Sequence, residues 1–173
     1  MTNRQSALID VRVMLLRGSD VLLIQRNDAL FPGCWNLPGG HVGEGENAIR
    51  AALRELEEEA AVTVLADHLR FAGVCHYRLA SRGPKVGFAF TAHKWSGIPF
   101  VTEPERFSAV AWHPLGSLPS ALMPHAEEIL RMHRSGVQFS VYGWGENTKG
   151  APPVLVGGTE RGAAEHGATK VPG

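Results

Sequence analysis

The chain has 173 residues, 44% of them hydrophobic, which suffices for one domain with its own core and lies within the usual single-domain range. Lys plus Arg and Asp plus Glu each number 17, so no global field directs the protein to nucleic acid or to a membrane surface, and any functional charge is local. With two cysteines, Cys34 and Cys75, no signal-peptide pattern in MTNRQSALIDVRVMLL and no apolar run near the roughly 18 residues of a spanning helix, the expectation is a reduced, cytoplasmic protein.

In chain order, ALIDVRVMLLRGSDVLLIQR holds two β-branched and leucine-rich runs around the turn composition RGSD, which predicts a hairpin over about 10–16 and 21–26. Positions 27–45 read as a long loop, since FPGCWNLPGGHVGEG carries five glycines and two prolines. A helix follows over about 47–60, where Ile49, Ala52, Leu53, Leu56 and Ala60 recur at spacings of three and four and predict one buried stripe, with most of the glutamates on the other side. Strands are expected over 71–79 and 86–95, joined by ASRGPK, and a short one over 109–113, giving a sheet that is mixed or partly antiparallel. A closing helix over about 124–134 has proline near its start and Gly136 at its end. Beyond about 147 the Gly, Ala and Pro content without periodicity predicts a flexible tail, so residues 1–146 form the expected domain and 147–173 the tail. Strands, helix, strands and helix in that order suggest an α+β sheet covered by helices.

The stretch RELEEEAAV places four glutamates in five positions. On a helix, Glu55, Glu58 and Glu59 fall at i, i+3 and i+4 and share a face, where like charges repel. A hard divalent cation relieves that repulsion, and Mg²⁺ takes oxygen ligands while sharing its shell with water and substrate phosphate. The alternative is a solvated helix face with Arg50 and Arg54 as counter-charges.

Context favours the cation. Gly40 is followed by five residues and Glu46, then by seven more and Arg54-Glu55-Leu56, with Glu58, Glu59 and Val62 completing the pattern. This resembles the Nudix box, specifically over Gly40 to Val62. The resemblance implies the Nudix fold, an α/β/α sandwich with a mixed sheet between helices, and hydrolysis of a nucleoside diphosphate linked to another moiety. It also implies Mg²⁺, with Mn²⁺ as an alternative, held by the Gly40 carbonyl and the carboxylates of Glu55, Glu58 and Glu59, and a bracing salt bridge between Glu46 and Arg54. Arg54 could instead serve as a surface partner of Glu57 or Glu58. In such enzymes a box carboxylate takes the proton of the attacking water, here Glu58 or Glu59, or a later loop supplies the base, here Glu103 or Glu105. One position departs from the box: Ala61 stands where glycine is expected, and a slightly altered helix end with intact carboxylates is the expectation.

Substrate signals are sparser. Gly39 and Gly40 let the backbone approach phosphate, and Phe31, Trp35, Asn36, His41, His76, Phe88 and Trp144 are candidates for contact with base or phosphate. WNLPGGH with the later EPE and WHP resembles Nudix proteins that cleave nucleoside triphosphates, plain or modified, to monophosphate and pyrophosphate. A nucleotide-sugar hydrolase and a non-catalytic nucleotide-binding module are the alternatives. The implied partner is a small-molecule nucleotide, with neither a nucleic acid polymer nor a membrane, and a homodimer is compatible with the sequence. Cys34 and Cys75 read as packing thiols, there being no nucleophile constellation around them.

Overall fold

A computed structural model describes residues 6–79 and 83–144. The expected tail over 147–173 and its boundary lie outside the described residues. The elements run β1 (Leu8–Arg17), β2 (Asp20–Arg26), β3 (Trp35–Asn36), α1 (Ala48–Ala60), a 3-10 turn (Ala66–His68), β4 (Leu69–Leu79), β5 (Gly83–Ala92), β6 (Phe107–Pro114), α2 (Pro124–Ser135) and β7 (Phe139–Tyr142).

The expected hairpin of β1 and β2 forms, but the strands pair only at Leu16–Val21 and Arg17–Asp20. Past that turn they diverge. β1 runs parallel to β5, which pairs antiparallel with β4, and β4 runs parallel to β7; β2 pairs antiparallel with β3 and β6. The sheet is therefore mixed. Apolar residues fill both faces of β1, as expected for a strand covered on each side. Val11, Val13 and Leu15 join the core under α1, whereas Met14 and Leu16 join the core under α2. The sheet thus lies between two helices, and Arg12 occupies a position where the alternation of β1 calls for an apolar residue on the α2 side.

Both helices begin and end where local chemistry dictates. Asn47 caps α1, its side chain accepting the Arg50 amide at 3.0 Å, and α2 starts with Pro124 and closes on Gly136 in the left-handed conformation. Two expectations are corrected. The strand expected to reach residue 95 stops at Ala92, leaving Trp95 outside it. Ile49 is exposed, and the buried face of α1 is Ala51, Ala52, Glu55, Leu56, Glu59 and Ala60, so two glutamates point inward. At the end of α1, Ala61 itself adopts the left-handed conformation (φ 55°) and donates its amide to the carbonyls of Glu57 and Leu56. No helix among the described residues is long and apolar enough to cross a membrane.

Candidate active site

The free edge of β1 is taken by the loop that precedes α1. Val13 donates its amide to the Pro38 carbonyl and Val11 to that of Gly40, each at 2.9 Å, and Val42 donates back to Ile9 at 3.0 Å. The Gly39 backbone lies between these bonds, and neither its N–H nor its carbonyl pairs with the β1 backbone. Its N–H donates to Glu59 Oε2 at 2.7 Å, while its carbonyl accepts from the Arg12 guanidinium. This placement requires glycine. Gly39 has φ 137°, and a Cβ there would stand 2.9 Å from the Val11 carbonyl carbon; a Cβ on Gly40 would stand 2.6 Å from the Glu55 carboxyl carbon.

Arg54 ties loop to helix. Its Nε and Nη2 hold the two oxygens of Glu46, each at 3.0 Å, in a bidentate pair. Nη1 reaches Glu55 at 2.9 Å and Glu58 at 2.8 Å, and Nη2 also donates to the His41 carbonyl at 3.1 Å. The hydrogen bond from Arg54, helped by the Gly43 amide, draws the Glu46 carboxyl down to about 2. The same pair holds the Arg54 guanidinium above its ordinary value. Arg54 is thus both brace and i,i+4 partner.

The inward glutamates sit in a different setting. Glu59 is 1% exposed, and burial pushes its carboxyl up to about 8, against the opposing pull of the Gly39 amide, Arg12 and Arg106. Burial also raises Glu55, with Arg54 acting against it. Glu58 is half-exposed. The donors available here, three carboxylates and the Gly40 carbonyl, are all oxygen, and two of the acids are desolvated without full neutralisation; that chemistry fits a hard divalent cation. Among the described residues, no three acidic, histidine or cysteine side chains already converge as a ligand set. Arginines hold them instead, Arg54 on Glu55 and Glu58, and Arg106 on Glu59 at 3.5 Å.

Beside these acids opens a cleft of about 170 Å³, whose lining includes Arg12, Arg26, Lys85 and Arg106 with Asn36 and His41. Its floor is a buried polar network. Asp10, fully buried, accepts from the Tyr77 hydroxyl at 2.5 Å and pairs with Arg12 at 3.3 Å and Lys85 at 3.7 Å. Lys85 Nζ lies 2.9 Å from His41 Nε2, so with a charged ammonium that nitrogen is the acceptor. Four cations thus reach one small cleft.

Of the expected substrate residues, Asn36, Gly39, Gly40 and His41 line this cleft together with Glu59. Trp35 instead packs edge-on against His113, and Phe88 leans on the core under α1. Phe31 lies 5.5 Å beneath the Arg26 guanidinium, and Trp144 covers His76. Of the two loop acids, Glu103 pairs with Arg106 at 2.6 Å, while Glu105 is exposed and makes none of the site's ion pairs. Both cysteines are free thiols, and burial pushes Cys75 up to about 12. Sequence reasoning missed Asp10, Arg12, Arg26, Lys85 and Arg106. The signal for the first two was present: charges at alternate positions of an otherwise apolar strand.

Comparison with known proteins bears on this arrangement. A family model for the NUDIX domain matches residues 8–133. Human 8-oxo-dGDP phosphatase NUDT18 is 32% identical over 130 residues, which cover 73% of this chain and 38% of that protein, so the chain spans well under half of that relative. The RNA pyrophosphohydrolase of Rhizobium meliloti (strain 1021) is 29% identical over 111 residues, 54% of this chain and 66% of the relative. Among solved structures, a MutT NUDIX hydrolase from Burkholderia pseudomallei superposes with a TM-score of 0.69 at 32% identity, covering 73% of this chain and 98% of that one.

Proposed function

This chain belongs to the Nudix hydrolase family, hydrolases acting on acid anhydrides, and on that premise we propose that it hydrolyses a phosphoanhydride bond of a nucleotide, with an oxidised purine nucleoside di- or triphosphate as the substrate class. The observation that carries the reading is the adjacency of a four-cation cleft to the carboxylates of α1 across the Gly39–Gly40 backbone. Support for the modified base comes from the likeness to NUDT18, which is described as an 8-oxo-dGDP phosphatase.

The Gly40 carbonyl with Glu55, Glu58 and Glu59 would hold Mg²⁺ or Mn²⁺. Such an ion, when bound, neutralises phosphate oxygens and lowers the pKa of a coordinated water. The chain's own residues supply the rest. Arg12, Arg26, Lys85 and Arg106 bind and orient the phosphates by charge-assisted hydrogen bonds. Glu58 or Glu59 accepts the proton of the attacking water. Glu46 and Arg54 keep the loop registered on α1, and Asn36 offers a polar edge at the cleft wall. Water adds to phosphorus, the anhydride bond breaks, and a triphosphate leaves monophosphate and pyrophosphate, a diphosphate monophosphate and phosphate.

The test is product analysis by ion-exchange chromatography on 8-oxo-dGDP, 8-oxo-dGTP, their unmodified counterparts and nucleotide sugars, with Mg²⁺ and with chelator. Metal-dependent release, fastest from the oxidised purines, is expected. Preference for a nucleotide sugar would replace the substrate class, and nucleotide binding without release from any compound would replace the enzyme with a binding module.

A further inference from the structure

Arg106 differs from the other cleft cations in how it is held. Its backbone is fixed on two sides: its carbonyl accepts from the Asn27 amide at 2.8 Å, and its amide donates to Glu103 at 2.9 Å. The segment leading to it is tied to the last turn of α1, where the Phe100 amide reaches the Ala60 carbonyl at 3.3 Å and the Thr102 hydroxyl donates to the Glu58 carbonyl. The side chain, by contrast, is 51% exposed, bonded to Glu103 at 2.6 Å and set 3.5 Å from Glu59 Oε1. A fixed base with a solvent-facing guanidinium lets the head change partner without moving the chain.

Resting on the metal-dependent reading above, we propose that Arg106 is the counter-ion of Glu59 in the metal-free protein, and that a divalent cation displaces it onto a phosphate of the nucleotide. Among the described residues, only the Gly39 N–H and the Arg106 guanidinium pair directly with Glu59; Arg12 attracts it without forming an ion pair, so Arg106 is the one cation bonded to it. Arg54 is unsuited to the same exchange, since Glu46 and the His41 carbonyl hold it in place whatever happens at Glu55 and Glu58. Arg106 has a single bracing partner among the described residues, Glu103 on its own turn at 2.6 Å, and it already lines the cleft. Metal and guanidinium then compete for one carboxylate, and metal and nucleotide reinforce each other, because the ion that takes Glu59 frees a phosphate ligand.

The experiment titrates Mn²⁺ into the full chain without nucleotide, read by the electron paramagnetic resonance of free Mn²⁺, alongside steady-state kinetics. Arg106→Gln should bind Mn²⁺ about five- to tenfold more tightly, the scale of an ordinary coupling between sites. The same variant should raise KM for the nucleotide about tenfold, with a much smaller change in kcat, as loss of a uniform binding contact does. Arg106→Lys should return both values toward wild type. Arg26→Gln removes an equal charge from the same cleft, but one paired with Asp28, and should leave Mn²⁺ affinity within about twofold if contact rather than general field is responsible. Unchanged or weaker Mn²⁺ binding by Arg106→Gln, with wild-type binding intact, overturns this proposal alone. A wild-type protein that binds no Mn²⁺ overturns the metal-dependent reading and this one with it.

Discussion

Two inward-facing glutamates, one on each helix, meet opposite treatment. Glu128 on α2 is 6% exposed and fully engaged: Arg131 grips it through Nε at 2.9 Å and Nη2 at 2.6 Å, and the Ser140 hydroxyl of β7 donates to it. Glu59 on α1 is buried still more completely, yet it receives one backbone N–H and a guanidinium at 3.5 Å. A carboxylate whose charge is matched inside the scaffold fastens α2 to β7. On the metal-dependent reading proposed above, one left under-neutralised at the edge of a cationic cleft would keep capacity for an incoming ion. Burial of an acid is therefore no sign of function until its partners are counted.

The strongest way to break this contrast is to remove each charge in turn. Glu59→Gln keeps an oxygen for the Gly39 amide and avoids burying a charge, so the melting temperature should not fall, while turnover should drop about 10³-fold or more. Glu128→Gln should do the reverse. Loss of the bidentate pair costs about 2 kcal/mol, seen as a lower urea midpoint, with kcat near wild type wherever the protein is folded. A Glu59→Gln protein that unfolds more easily, or a stable Glu128→Gln protein without activity, would exchange the two roles.

A third acid sharpens the comparison because its partner is bidentate and partly wet. Glu46 has a folded value of about 2, below its ordinary 4.5, chiefly through the Arg54 hydrogen bonds. Its folded value is depressed, so its stabilisation is complete above pH 4.5 and is lost as pH falls from 4.5 toward 2. Arg54 is 36% exposed, and with solvent screening the contribution is about 1 kcal/mol. The stability difference between wild type and Glu46→Gln in urea titrations should therefore be constant above pH 5 and close below it. A difference that persists at pH 2 would show that Gln disturbs the loop by shape rather than charge.

What the sequence made legible follows the same division. Period and punctuation located β1, β2, β4, β5, β6 and both helices, because each buries a regular stripe or carries its own cap. β3 and β7, of two and four residues, show no period; they pair because neighbouring backbone at Gln25 and at Val74–Tyr77 offers hydrogen bonds. The spacing from Gly40 to Val62 placed the acids and the glycines on the page together. It could not show that Glu55 and Glu59 turn inward, since apolar residues alone select a stripe with Ile49 and Leu53. The loop over 38–42, laid along β1, supplies the polar surface those two glutamates face. The cleft cations were hidden for a topological reason. Arg12, Arg26, Lys85 and Arg106 come from β1, β2, β5 and the turn before β6, and only the parallel pairing of β1 with β5 and the pairing of β2 with β6 gather them.

The smallest expected effect concerns how the two helices stop. α2 ends on Gly136 at φ 66°, and α1 ends on Ala61 at φ 55°, the single non-glycine residue with positive φ among the described residues. An alanine held there costs roughly 1–2 kcal/mol relative to a right-handed conformation. The surroundings enforce it: the Ala61 amide closes the helix on Glu57 and Leu56, and Gly97 lies so close that a Cβ on it would stand 2.6 Å from the Ala61 carbonyl oxygen. Ala61→Gly removes the strain while loosening the unfolded chain, which takes back about 0.4–1 kcal/mol. The net gain should be about 0.5 kcal/mol in a urea titration, small because the two terms oppose each other. Because Glu59 lies two residues before the cap and is held from the Gly39 side, kcat should be unchanged; a rise in kcat would mean that the strain at Ala61 is transmitted to the acid.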